Sequence, residues 1–182
     1  FPFLFIIMGI TFGLGSGATA LIAQFIGSDE TEKATDVAEH ILFLGIFLGI
    51  ILNIISFLIG DKIISFQGAS PDTLKYSLDY FYIMIVGSIF MILGVFFRSI
   101  LSGEGDTIFS MKVLGLGTLL NIILDPPFIY FYQIKGAAIA TLISQVIVFI
   151  IFFYSILIKK SFYLQLNFKN FSYNKSVVNK II

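Results

Sequence analysis

Cysteine is absent from all 182 residues. Disulfides, thiolate metal sites and cysteine nucleophiles are therefore excluded together. Charge is nearly as scarce. Only 12% of residues are charged and 58% are hydrophobic, whereas soluble domains average roughly 25% charged and about 45–50% apolar. Lysine plus arginine balance aspartate plus glutamate to a net charge of zero, so no whole-chain field points to nucleic acid. The single histidine, His40, stands at the edge of an apolar run and reads as an interfacial residue, not a metal ligand. Enzyme chemistry finds no support. No Walker lysine motif is present, one histidine leaves no plausible Ser-His-Asp set, and the apolar runs hold no paired carboxylates.

Long apolar runs are abundant. The stretches 1–26, 40–60, 80–97 and 136–158 contain no Asp, Glu, Lys or Arg, and 113–134 contains one, Asp125. Each approaches or exceeds the ~20 residues that cross a hydrocarbon core, and none shows the polar stripe of a soluble amphipathic helix. The pattern predicts an all-α membrane protein, a bundle of about five transmembrane helices. The chain starts Phe-Pro-Phe, with no basic segment ahead of the first run. A signal peptide is not expected, and the chain reads as a piece of a longer protein.

Between the runs, Ser28 or Asp29 is the expected N-cap for the second helix, Ser70 before Pro71 for the third, and Asp106 for the helix that follows "SGEGD". The last two runs are separated only by "YQIKG", which predicts a tight antiparallel pair. Counting basic residues on alternate sides gives an orientation. Lys33, Arg98, Lys112, Lys159, Lys160, Lys169, Lys175 and Lys180 fall on one side, against Lys62, Lys75 and Lys135 on the other. This places the tail in the cytoplasm and Phe1 outside.

Polar residues inside the runs are the candidates for function. Asp125, in "LLNIILDPPFIYF", is the strongest, since a carboxylate at mid-membrane costs roughly 2.5–3.5 kcal/mol on insertion scales. Asn121 lies one helical turn earlier on the same face, with Thr118 and Gly117 extending it. Amide and carboxylate together offer hard oxygen ligands or a hydrogen-bonded proton site. The alternative is that Asp125 merely caps a helix broken by Pro126 and Pro127. Those prolines suit a bend beside a site that opens and closes, or equally a static kink. Thr141, on the returning helix, could face the carboxylate or serve as interhelical glue. Asn53 favours interhelical hydrogen bonding, and "GLGSGATALIAQ" a close-packing surface or a cavity wall. Most of the 22 Phe and eight Tyr read as lipid-facing or interfacial bulk.

The segments "GLGSGATALIAQFIGSDETEKA", "ILSGEGDT" and "NIILDPPFIYF…IKGAAIATLISQ", in that order, resemble the multidrug and toxic compound extrusion (MATE) family over residues 1–160. The resemblance implies spans two to six of a six-helix lobe in residues 1–160, with a cytoplasmic linker starting at 161–182. It also implies a further span before Phe1 and a second lobe of the same polypeptide. The implied activity is antiport in the plasma membrane: entry of Na+ or H+ drives export of small organic compounds, often cationic or amphipathic. By motif, Asn121, Asp125 and Thr141 match three members of the family's cation site and Pro126 its bending proline; the Asp of the first span has no counterpart here. Pro127 is a departure, as is Ser102-Gly103-Glu104 where many members carry Arg-Gly. Two other readings remain: a lipid-linked precursor flippase of the same broader superfamily, disfavoured by runs without Lys or Arg, and a non-transporting membrane scaffold subunit.

Overall fold

The computed structural model describes residues 2–68, 71–159, 162–168 and 171–181. Phe1, the expected cap Ser70, and tail residues Lys160 and Lys169 lie outside the described residues. Helix α1 spans Pro2–Gly27, α2 Thr31–Phe66, α3 Pro71–Glu104 and α4 Thr107–Phe153; a π-helical turn, Tyr154–Ile158, and a short helix α5, Lys175–Ile181, complete the chain. No strand occurs among the described residues.

The apolar stretch that carries α4 runs 52 residues, Thr107–Ile158. Straight, it would reach about 78 Å, far beyond a hydrocarbon core of about 30 Å. It folds in two at Gln133, whose φ of 52° and ψ of −130° lie outside the helical region. The chain therefore makes five crossings, at 2–27, 31–66, 71–104, 107–132 and 134–158, and is a multi-pass membrane protein. The reversal is as tight as the five-residue connection predicted. A Cβ on Gly136 would collide with the Phe128 carbonyl and approach Ile129 N to 2.7 Å, so only glycine lets the returning arm lie this close. Lys135 pairs with Asp79 of α3 at 2.9 Å and ties the reversal to its neighbour.

Helix α3 is the hub, packing against α1, α2 and α4. Its buried residues Ile85, Ile92, Phe96 and Ile100 form the centre of the core. Small residues set the spacing around it. On α2, Gly45 abuts Phe96, and Gly49 abuts Ile89. On α1, Gly15 abuts Ser99, and Thr19 donates to the Ser99 carbonyl at 3.0 Å. The small-residue run of α1 is thus a close-packing surface. Asn53 donates to Ser88 Oγ at 3.2 Å, the expected interhelical bond. Leu58, Phe66 and Tyr130 point outward and are more than three-quarters exposed, as a lipid-facing surface requires.

Helix starts follow the sequence in one case and not in another. Asp106 caps α4, accepting from Phe109 N at 3.0 Å. Neither Ser28 nor Asp29 caps α2: the N-cap position is Glu30, with no side-chain cap bond. The Ser28 hydroxyl donates instead to the Gln24 and Phe25 carbonyls of α1, and Asp29 makes the turn with φ of 61°.

The tail folds back onto the end of the bundle where α1 and α3 finish. Glu104 accepts the backbone amides of Tyr163 and Leu164 at 3.2 and 3.1 Å, and Glu39 that of Asn167 at 2.6 Å. Leu164, Leu166, Val178 and Ile181 are buried against the bundle. His40 is fully buried beneath the tail at the end of the bundle. Its Nε2 accepts from Asn174 N at 2.8 Å, while Nδ1 faces the Asp36 carbonyl at 2.7 Å and its carboxylate at 3.0 Å. Nε2 as acceptor makes the ring a neutral Nδ1–H tautomer. Phe171 covers it with ring centroids 4.9 Å apart.

Candidate functional site

A polar seam lies between the two arms of α4. The i, i+4 spacing places Asn121 and Asp125 on one face of the first arm, and the short reversal brings Thr141 of the second arm opposite them. Asn121 Nδ2 donates to Asp125 Oδ1 at 3.3 Å and to Thr141 Oγ1 at 3.4 Å. The three side chains picked from sequence therefore meet, with the amide as the bridge. Thr141 reaches the carboxylate through Asn121, not directly. Its hydroxyl donates to Ala137 O at 2.9 Å, which keeps an oxygen lone pair turned to the seam. Asp125 is half-buried. No group of three His, Cys, Asp or Glu residues is placed to hold a metal ion among the described residues; the donors here are one carboxylate, one amide and one hydroxyl.

The prolines do not reverse the chain. Pro126 and Pro127 sit inside α4, and Gln133 is where its dihedrals leave the helical region. Their missing N–H groups deprive the carbonyls of Ile122 and Ile123 of their usual helical partners. The first arm is thus weakest beside Asp125.

The seam opens onto a cavity of about 350 Å³. Asn121 and Thr141 form part of its wall, with Thr118 one turn below and Gln145 one turn along the second arm. Met8 and Phe12 of α1 and Met91 of α3 supply apolar walls. The volume is that of a small organic molecule, and apolar walls with a few convergent polar groups are the usual make-up of such sites.

The MatE family model matches residues 1–126. The chain belongs to the MATE family. It is 30% identical over 185 aligned residues to the multidrug export protein MepA of Staphylococcus aureus (strain MRSA252), covering 99% of this chain and 40% of that protein. It is 29% identical over 165 residues to a FAD transporter of Shewanella oneidensis, covering 87% of this chain and 36% of the relative. A solved inward-facing structure of a multidrug resistance MATE transporter superposes with a TM-score of 0.93 at 32% identity, over 100% of this chain and 42% of that one. This MATE chain thus spans about 40% of the length of the curated relatives it matches.

Two polar groups near the MATE seam escaped the sequence reading. Tyr80 of α3 lies within electrostatic reach of the Asp125 carboxylate. Its place at the start of an apolar run made it look like interfacial bulk. Arg98 belongs to α3 and lines the cavity. The apolar run ends at residue 97, which put Arg98 in a connecting loop, but the helix continues to Glu104. The expectation that the spans hold no Lys or Arg is corrected accordingly.

Proposed function

We propose that this chain is one lobe of a cation-coupled exporter of small organic compounds, with Na+ or H+ as the coupling ion. The observation that carries the reading is the meeting of Asn121, Asp125 and Thr141 beside a cavity that Asn121 and Thr141 line. MepA is named as a multidrug export protein and the Shewanella relative as a FAD transporter, which supports an organic cargo. The lysine count supports a cytoplasmic tail, and the plasma membrane follows from the family resemblance.

The seam can perform the coupling in simple steps. An unpaired carboxylate inside a membrane is costly. Uptake of a proton or a monovalent cation neutralises the single charge of Asp125 and removes that cost. A proton placed on Asp125 leaves the Asn121 amide as its hydrogen-bond partner, with Thr141 bonded to that amide. A sodium ion needs oxygen donors, which requires the Asn121 amide to turn and present Oδ1; Thr141 Oγ1 is already in place. Either event changes the seam just before Pro126 and Pro127, where the helix lacks two backbone bonds. Occupancy of Asp125 then biases the bend of the first arm, and with it the shape of the adjoining cavity.

The presence of Arg98 in the cavity removes one sequence argument against a precursor flippase; the named relatives favour export. A scaffold subunit would tolerate an apolar residue at position 125. The test is dye efflux from cells making the whole protein. Asp125→Asn inserts normally and loses gradient-driven efflux. Undiminished efflux by that variant would overturn the assignment.

A further inference from the structure

The cavity wall carries one formal charge, and its sign is positive. Of the residues lining the cavity, Arg98 is the sole charged one; the rest are apolar, glycine, hydroxyl or amide side chains. Arg98 sits six residues before the end of α3 at Glu104, about 9 Å along the helix axis from that end. Among the described residues it has no ion-pair partner: the pairs formed are Lys33 with Glu30, His40 with Asp36 and Lys135 with Asp79. Asp125 lies away from it, one turn beyond Asn121 and bonded to that amide.

At 34 residues α3 is about 51 Å long, so Arg98 stands near the edge of a hydrocarbon core of about 30 Å, where a charge open to a cavity can take its counter-charge from an occupant. A guanidinium is suited to carboxylate, sulfonate or phosphate oxygens, which it binds with two parallel N–H donors. Here Arg98 is exposed, has no ion pair among the described residues, and lines a space that opens among Met8, Phe12, Phe90 and Met91. Thioether and phenyl groups accommodate flat apolar bodies of varied shape. Resting on the reading of this cavity as the cargo site, we propose that it takes an amphipathic organic anion. The apolar body lies against these four side chains and the acidic group pairs with Arg98. The family resemblance implies cargo that is often cationic or amphipathic; Arg98 selects an amphipathic anion.

The test uses two fluorescent probes with the same aromatic body, dansylglycine, which carries a carboxylate, and its neutral methyl ester. Binding to the whole protein in detergent micelles is measured for wild type, Arg98→Gln and Arg98→Lys. Wild type is expected to prefer the carboxylate. Arg98→Gln should weaken dansylglycine roughly ten- to hundredfold, the range of a charge-assisted pair, while ester affinity stays within about twofold. Retained ester binding certifies that the variant is folded, and Arg98→Lys should recover part of the loss. Equal binding of both probes by wild type overturns the proposal. So does unchanged dansylglycine binding in Arg98→Gln, or equal weakening of both probes, which would assign Arg98 to a structural pair within the whole protein. Cation-driven uptake of the ester by Arg98→Gln in proteoliposomes reports separately on the coupling mechanism, whose failure would leave the anion preference standing.

Discussion

Adding a single methyl group at Gly136 should separate the two arms of α4. A Cβ there would strike the Phe128 carbonyl and sit 2.7 Å from Ile129 N. Both are backbone atoms of the opposing arm, so no rotamer change relieves the clash. Carbon-to-oxygen contacts settle at about 3.3–3.6 Å, and the arms must part by about 1 Å or more. The Asn121–Thr141 bond is already 3.4 Å long, so a shift of that size takes it outside hydrogen-bonding range. Gly115→Ala is the matched control: it adds the same methyl to the same α4 helix, and nothing lies within 4 Å of the site. The intrinsic preference of a helix for alanine over glycine is common to both variants. Their difference in stability therefore isolates the overpacking penalty, about 1–3 kcal/mol. Thermal unfolding of the whole protein in detergent should place Gly136→Ala below wild type and Gly115→Ala at or above it. Dye efflux should fall in the first and persist in the second. Indistinguishable unfolding and efflux would refute the close apposition of the arms.

Other consequences follow from the same geometry. Glu104→Ala removes the acceptor of two tail amides, so hydrogen exchange at Tyr163 and Leu164 should accelerate at least about tenfold, with earlier protease cleavage of the tail. His40→Phe keeps an aromatic ring against Phe171 but loses the acceptor for Asn174 N, so exchange should rise at Asn174 and not at Leu164. Asp106→Ala uncaps α4 and should lower stability by about 1 kcal/mol in unfolding experiments. Mutating both Asn53 and Ser88 in a double-mutant cycle should give a coupling of about 0.6 kcal/mol, typical of polar pairs in membranes.

The membrane-spanning plan was readable because apolar runs of this length admit few other folds, and even the hairpin between the last two crossings was set by the number of residues left to make it. The seam was readable for a similar reason. Asn121 and Asp125 are one turn apart on any helix, and a connection as short as "YQIKG" leaves Thr141 little choice but to return beside them. Features that depend on where helices extend beyond their apolar runs were not readable. α2 begins at Thr31, well before the charge-free stretch, and α3 continues past it to Glu104. Those polar extensions place Arg98 on the cavity wall and turn Glu39, His40 and Glu104 into acceptors for tail amides. Their partners are 59 to 134 residues away in sequence, and no local pattern encodes such pairings. The capping error at Ser28 has the same character: its hydroxyl had two carbonyls of α1 within reach as well as the start of α2.

The central proposal is that Asp125 holds the coupling ion and yields it as cargo is exchanged. The most direct measurement is cation displacement. Cargo is added to the purified whole protein, and released protons and sodium ions are recorded for wild type and Asp125→Asn. The account predicts that cargo displaces one of these ions from wild type and neither from the variant. Equal displacement from both proteins would contradict it and move the coupling charge elsewhere.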